Sequence, residues 1–215
     1  MRNHDPLIDK LSDSVPPVKR TWPTGWRVAA WIALALPCGM LSSWALHTRF
    51  TDWTQSGALM ALATLLLSLA IGACTLAGAF DLSIAGRRPP GLRPAALLAV
   101  LWLALNVLNT APEAGGTEHG HIGEGIHCYL FMLSASLPMM VIAIISLYRT
   151  RSLYPRQSLA LAGCSIAFMS SMLLSLCHEI HLHALDFAMH LAAGVTIVVL
   201  TVLLGRRWIG LGRPY

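Results

Sequence analysis

GALMALATLLLSLAIGACTLAGAF, residues 57–80, contains no charged side chain and hardly a polar one. A helix rises about 1.5 Å per residue, so this stretch is longer than the ~30 Å hydrocarbon core of a bilayer. It reads as a membrane-crossing helix, and its neighbours repeat the pattern. Further apolar runs lie at 28–46, 95–111, 126–148, 159–176 and 185–204. The predicted fold is therefore all-α: a polytopic membrane protein with a six-helix transmembrane bundle. The third run is the shortest. It carries Asn106 and Asn109, three residues apart and hence on one helical face. Unpaired amides are costly in lipid, so both are expected to bond to a neighbouring helix. Pro37 and Pro138 are expected to bend the first and fourth spans locally.

Composition agrees with these spans. The chain has 215 residues, of which 55% are hydrophobic and 12% charged, about half the charge of an ordinary soluble domain. Little chain remains between the runs, so no separate soluble domain is expected. The first 25 residues are polar, with Asp5, Asp9 and Asp13 among them, which does not resemble a cleavable signal peptide. The formal charge of +5 comes from short basic clusters between apolar runs. Such clusters suit lipid headgroups and topology better than nucleic acid, and no direct nucleic-acid contact is expected.

Those clusters also set a direction. Arg2, Lys10, Lys19, Arg20 and Arg27 precede the first span; Arg87, Arg88 and Arg93 lie between the second and third. Arg149, Arg151 and Arg156 lie between the fourth and fifth, and Arg206, Arg207 and Arg213 follow the sixth. Only Arg49 falls in an alternate loop. Lysine and arginine accumulate on the cytoplasmic side of short loops. Both termini are thus expected in the cytoplasm, with the protein in a bacterial inner membrane. Histidine shows the opposite bias: His47, His119, His121, His127, His178, His181 and His183 fall on the outer side, and His190 lies early in the sixth span.

Before the first span lies a different kind of segment. Asp5-Pro6 is a good helix start, an N-cap followed by proline at the first helical position. Leu7, Ile8, Leu11 and Val15 then recur at helical spacing opposite Asp9, Lys10 and Asp13, until Pro16-Pro17 stops the helix. A helix of about three turns is marginal alone in water. Either the segment is simply frayed, or its apolar face lies on the membrane surface, which three aspartates disfavour, or it fits a groove on a cytoplasmic protein, the sharper reading. Lys19, Arg20 and Arg27, with Trp22 and Trp26, look like a headgroup anchor. The resulting division is 1–26 as a cytoplasmic binding segment, 27–208 as the transmembrane domain and 209–215 as a cytoplasmic tail.

The outer loops hold the candidate chemistry. PEAGGTEHGHIGEG, residues 112–125, is Gly-rich and carries Glu113, Glu118, His119, His121 and Glu124, with His127 and Cys128 just beyond. CHEIHLHALD, residues 177–186, brings Cys177, His178, Glu179, His181, His183 and Asp186. His183, Asp186 and His190, spaced i, i+3, i+7, share a helical face. Cys128 begins one span and Cys177 ends the next, so both lie near the outer face. Thiolate and imidazole suit zinc, cadmium or copper, which gives Cys128, Cys177, His178, His183, Asp186 and His190 as candidate metal ligands. Cys128 and Cys177 could instead pair as a disulfide in an oxidising compartment. There is no CxxC and no HExxH, so this is a cluster and not a motif. A polar rim with incidental histidines and packed thiols is the plainer reading. Cys38, Cys74 and Cys164 lie inside apolar runs and read as small buried hydrophobes.

Four stretches together resemble the NrsF family of integral-membrane anti-sigma factors ("negative regulator of sigma F"), over nearly the whole length. They are LIDKLSDSVPPVKRTWP at 7–23, DLSIAGRRP at 81–89, HCYLFMLSASLPMM at 127–140, and LCHEIHLHALDFAMH at 176–190 followed by LLGRRW at 203–208. The resemblance implies a non-enzymatic protein that holds an extracytoplasmic-function sigma factor at the membrane and releases it on a metal or oxidative stress signal. It implies sigma binding by Leu7, Ile8, Asp9, Leu11, Asp13 and Val15, and sensing by Cys128 and Cys177. No cofactor is obligatory on this reading; a transition-metal ion would be the signal. This chain departs from the family around the second cysteine, where Cys-His-Glu-Ile-His-Leu-His replaces the expected Cys-Pro-type loop. The alternative of a different class is a metal-ion binding or transport membrane protein. That role normally needs ionisable groups deep in the spans, and the sequence places Asp81, Asp186 and His190 only near span ends.

Overall fold

The computed structural model describes residues 5–14, 21–45, 51, 53–55, 57–84, 86–87, 89, 92–109, 122–150, 152–177 and 184–209. They form seven helices and, among the described residues, no strand: α1 (Asp5–Ser14), α2 (Thr24–Ala45), α3 (Ala58–Leu82), α4 (Leu92–Asn109), α5 (Ile122–Tyr148), α6 (Pro155–Ser175) and α7 (Ala184–Ile209). The six from α2 to α7 are each long and apolar enough to cross a membrane, so the chain is a multi-pass membrane protein built as a six-helix bundle. Leu59, Leu97, Leu130 and Val195 turn their side chains outward. Apolar side chains in that position suit surrounding lipid tails.

Helix α6 is the axis of the bundle. It packs against α3, α7, α5 and, more lightly, α2, whereas α4 rests mainly on α3. Ser158, Ser165 and Ser170 of α6 are buried between helices. Lipid offers no hydrophobic force between spans, so small residues that allow close approach make the interface. Gly163 shows how close. A Cβ there would stand 2.8 Å from the Cα of Val198 on α7 and 3.3 Å from the Thr201 side chain. The same seam is closed from the other side by Gly205 of α7 against Leu159. Below and beside it lies the apolar core, with Phe80, Phe131, Leu76, Met139, Ile166, Met169 and Ile197 fully buried.

Three details differ from the sequence expectation. First, α2 begins at Thr24, directly after Pro23, whose carbonyl accepts the Arg27 N–H at 3.2 Å. Arg27 is therefore inside the helix and not ahead of it. Second, Asn106 is buried but donates to the Trp102 carbonyl of its own helix at 2.8 Å. One amide hydrogen is taken by a lone pair of an i−4 carbonyl, a local bond where one to a neighbouring helix was expected. Third, α4 reaches its other neighbours through an aromatic ring. Trp102 meets Phe168 of α6 edge-on at 5.2 Å and Phe187 of α7 at 6.0 Å.

Candidate functional site

The bundle has two chemically distinct ends. The start of α2, the end of α3, the end of α5 and the start of α6 form a basic end. The start of α5, the end of α6 and the start of α7 form a thiol end. α1 stands apart from the principal helix contacts.

On α1, Leu7, Ile8 and Leu11 are 56%, 60% and 56% exposed, and Asp9 and Asp13 are exposed beside them. The bundle does not cover this apolar stripe. Burying such side chains elsewhere is worth roughly 1.5–3 kcal/mol each. Val15, the last residue of the predicted stripe, lies outside the described residues, as do Lys19 and Arg20.

At the thiol end, Cys128 is 6% exposed and belongs to the apolar core, near Phe131 and Met132. Cys177 is half-buried and packs against the edge of that core. All five cysteines are thiols, with no disulfide between them. The two sensing candidates thus share one core but differ in shielding. A buried thiol in apolar surroundings reacts slowly, and a partly exposed one faster. Asp186 is buried in the first turn of α7, where a carboxylate favours the helix dipole. His190, one turn on, lines an apolar cavity of about 310 Å³ with Cys164, Phe168 and Trp102. Among the described residues no three His, Cys, Asp or Glu side chains come together as a metal site. His178 and His183 lie outside the described residues, as do the acidic and histidine side chains of the 112–125 loop. Two described contacts tie this end together. The Thr51 N–H donates to the Leu176 carbonyl at 2.9 Å, and its hydroxyl donates to the Ser175 carbonyl at 3.0 Å. The Tyr129 and Thr196 hydroxyls share a hydrogen bond of 3.0 Å between α5 and α7.

The basic end holds a network that the sequence did not suggest. Thr24 of α2 donates its hydroxyl to Asp81 Oδ1 of α3 at 2.6 Å. Arg87 donates to the same carboxylate oxygen at 3.4 Å and to the Thr24 hydroxyl oxygen at 3.1 Å. The Arg27 guanidinium lies 4.3 Å from the centre of the Phe80 ring, a cation–π geometry. It also reaches the Phe80 carbonyl and the Thr150 hydroxyl, each at 3.5 Å. Thr150 in turn bonds to Ser83 at 3.0 Å, and Ser152 donates to the Leu82 carbonyl at 3.2 Å and pairs with Ser158 at 2.8 Å. Arg27, read from the sequence as part of a headgroup anchor, is half-buried and takes part in this network. The signal that could have found this network was Asp81, an acid at a span end whose partner had to come from another segment.

No family model matches the chain, and no curated protein or solved structure matches it.

Proposed function

We propose that the protein is a membrane-bound anti-sigma factor. It holds an extracytoplasmic-function sigma factor through α1 and releases it when a metal or oxidant acts at the thiol end. Both termini lie in the cytoplasm of a bacterial cell, and the thiol end faces the periplasm. The reading rests on the likeness to NrsF-type proteins and on one observation above others: an amphipathic helix whose Leu7, Ile8 and Leu11 stripe is left uncovered by its own bundle. Asp9 and Asp13 flank that stripe. A sigma factor presents basic surface to promoter phosphate, and acidic side chains compete for such a surface.

Release requires the signal to favour one arrangement of the bundle over another, because a ligand shifts an equilibrium only by its differential affinity. Moving a population from 1:99 to 99:1 takes about 5.5 kcal/mol. Thiolate–metal binding reaches that scale, since structural zinc in peptides supplies roughly 10–16 kcal/mol. Helix α5 provides the connection: Cys128 stands near its start, and Thr150, just past its end, bonds to Arg27 near the start of α2. α2 in turn follows the segment that carries α1.

The deciding experiment is co-purification of the full chain with the host's extracytoplasmic-function sigma factors, with and without residues 1–20. Retention by the full chain and complete loss on truncation is expected. If no sigma factor is retained by the full chain, the reading is wrong. The sensing half is tested separately, by following induction of the sigma factor's regulon by Zn²⁺, Cd²⁺, copper and oxidant in Cys128→Ser and Cys177→Ser strains. Unchanged induction in both strains removes the thiols from the mechanism.

A further inference from the structure

The basic end contains a cavity of about 460 Å³ between α2 and α5. Arg27 and Arg149 stand on its wall, and among the described residues no carboxylate does. The acid closest in the network, Asp81, is occupied by Thr24 and Arg87. Arg27 itself uses only two long contacts of 3.5 Å out of five N–H donors. Trp31 also lines the cavity; it is 2% exposed, and its indole N–H has no hydrogen-bond partner. Two guanidinium groups that no carboxylate faces among the described lining residues suit an oxygen-rich anion.

The rest of the wall specifies what kind of anion. Arg27, Trp31 and Leu34 follow one another at helical spacing along one face of α2, from its first turn inward. Arg149, just past the end of α5, is followed inward by Ile145 and Ile142 on the facing helix. Both helices therefore run from a cation at the bundle end to bare hydrocarbon about 10 Å deeper, at 1.5 Å per residue. Leu34 and Ile145 are each more than half exposed, so the groove opens sideways toward lipid. A free phosphate would leave the apolar half unused. An amphiphile uses both halves.

We propose that this cavity binds one anionic phospholipid, its phosphate held by Arg27 and Arg149 and an acyl chain laid along Leu34, Ile142 and Ile145. The site stands independently of the anti-sigma reading. Because its mouth is completed by Thr21 and Trp22, the bound lipid also fixes where the chain leaves the membrane on its way to α1.

The test uses the full chain in nanodiscs of equal phosphatidylglycerol and phosphatidylcholine, with retained lipids counted by native mass spectrometry. Wild type retains one phosphatidylglycerol in preference to phosphatidylcholine. Arg27→Gln and Arg149→Gln each lower that preference about fivefold, the scale of one cation at a membrane surface. Arg149 is exposed and makes the safer variant, its helicity checked by circular dichroism, should Arg27→Gln disturb the fold. Arg206→Gln with Arg207→Gln, at the same end but off the cavity, leaves the preference intact. An unaltered preference in Arg149→Gln would overturn the proposal. So would displacement of the lipid by inorganic phosphate, which would mark a site for soluble anions. A preference that rises on deleting residues 1–20 would assign the cavity to the chain's own acidic helix.

Discussion

Among the described residues, the basic end is tied by a network of directional bonds, many of them to charged groups, while at the thiol end Cys128 and Cys177 sit in or against the apolar core. At the first, Asp81, Arg27, Arg87, Thr150 and Ser152 join four helices through side chains. At the second, the described side-chain ties are Thr51 to the end of α6 and Tyr129 to Thr196. Apolar contact has no preferred direction, while hydrogen bonds weaken steeply with misalignment. Helix ends joined as they are around Asp81 are therefore costly to shift separately. The basic end is thus suited to carry a displacement to α2 as a unit.

The largest test removes what both ends share. Gly163→Val forces side-chain atoms against the backbone of Val198, which cannot turn aside. The expected loss is about 3 kcal/mol, read as collapse of the thermal midpoint in detergent, with both ends failing together. Next, Asp81→Ala deprives Thr24 of a charge-assisted acceptor and Arg87 of a half-exposed ion pair. About 2 kcal/mol is expected, most of it from the Thr24 bond. A midpoint equal to wild type would break the claim that the basic end is clamped. Thr51→Val removes the hydroxyl bond but keeps the backbone one, so about 1 kcal/mol or less should be lost. A loss as large as that from Asp81→Ala would erase the contrast between the ends. Smallest in energy is thiol shielding. In single-cysteine variants, Cys177 should react with a maleimide faster than the 6% exposed Cys128; the reverse order would mean that the thiol end opens from within.

The spans could be read from hydropathy because twenty or so consecutive apolar residues have few alternatives to crossing a bilayer. α1 was equally plain, since Asp5-Pro6 starts it and the 3.6-residue stripe continues it. Where the reading stopped short, the cause was a bond between distant segments. Thr24 and Arg27 look like polar residues preceding a span, and only Asp81, Phe80 and Thr150 from other helices make them part of one. The central place of α6 was hidden for a related reason. Hydropathy treats its serines as weakening a span, yet Ser158, Ser165 and Ser170 are fully buried against its neighbours. At the thiol end, the sequence named the residue types, and the structure places Cys128 and Cys177 about a common core.

Asn106 bears on how the chain is made. An amide in a span is costly in lipid unless its groups find partners. In α4 one hydrogen of that amide is already bonded to the Trp102 carbonyl of the same helix, which lowers the cost of placing the amide in lipid before any later span exists. The Trp102 ring can meet Phe168 and Phe187 only once α6 and α7 have been made, whereas α3, the main neighbour of α4, is already in place.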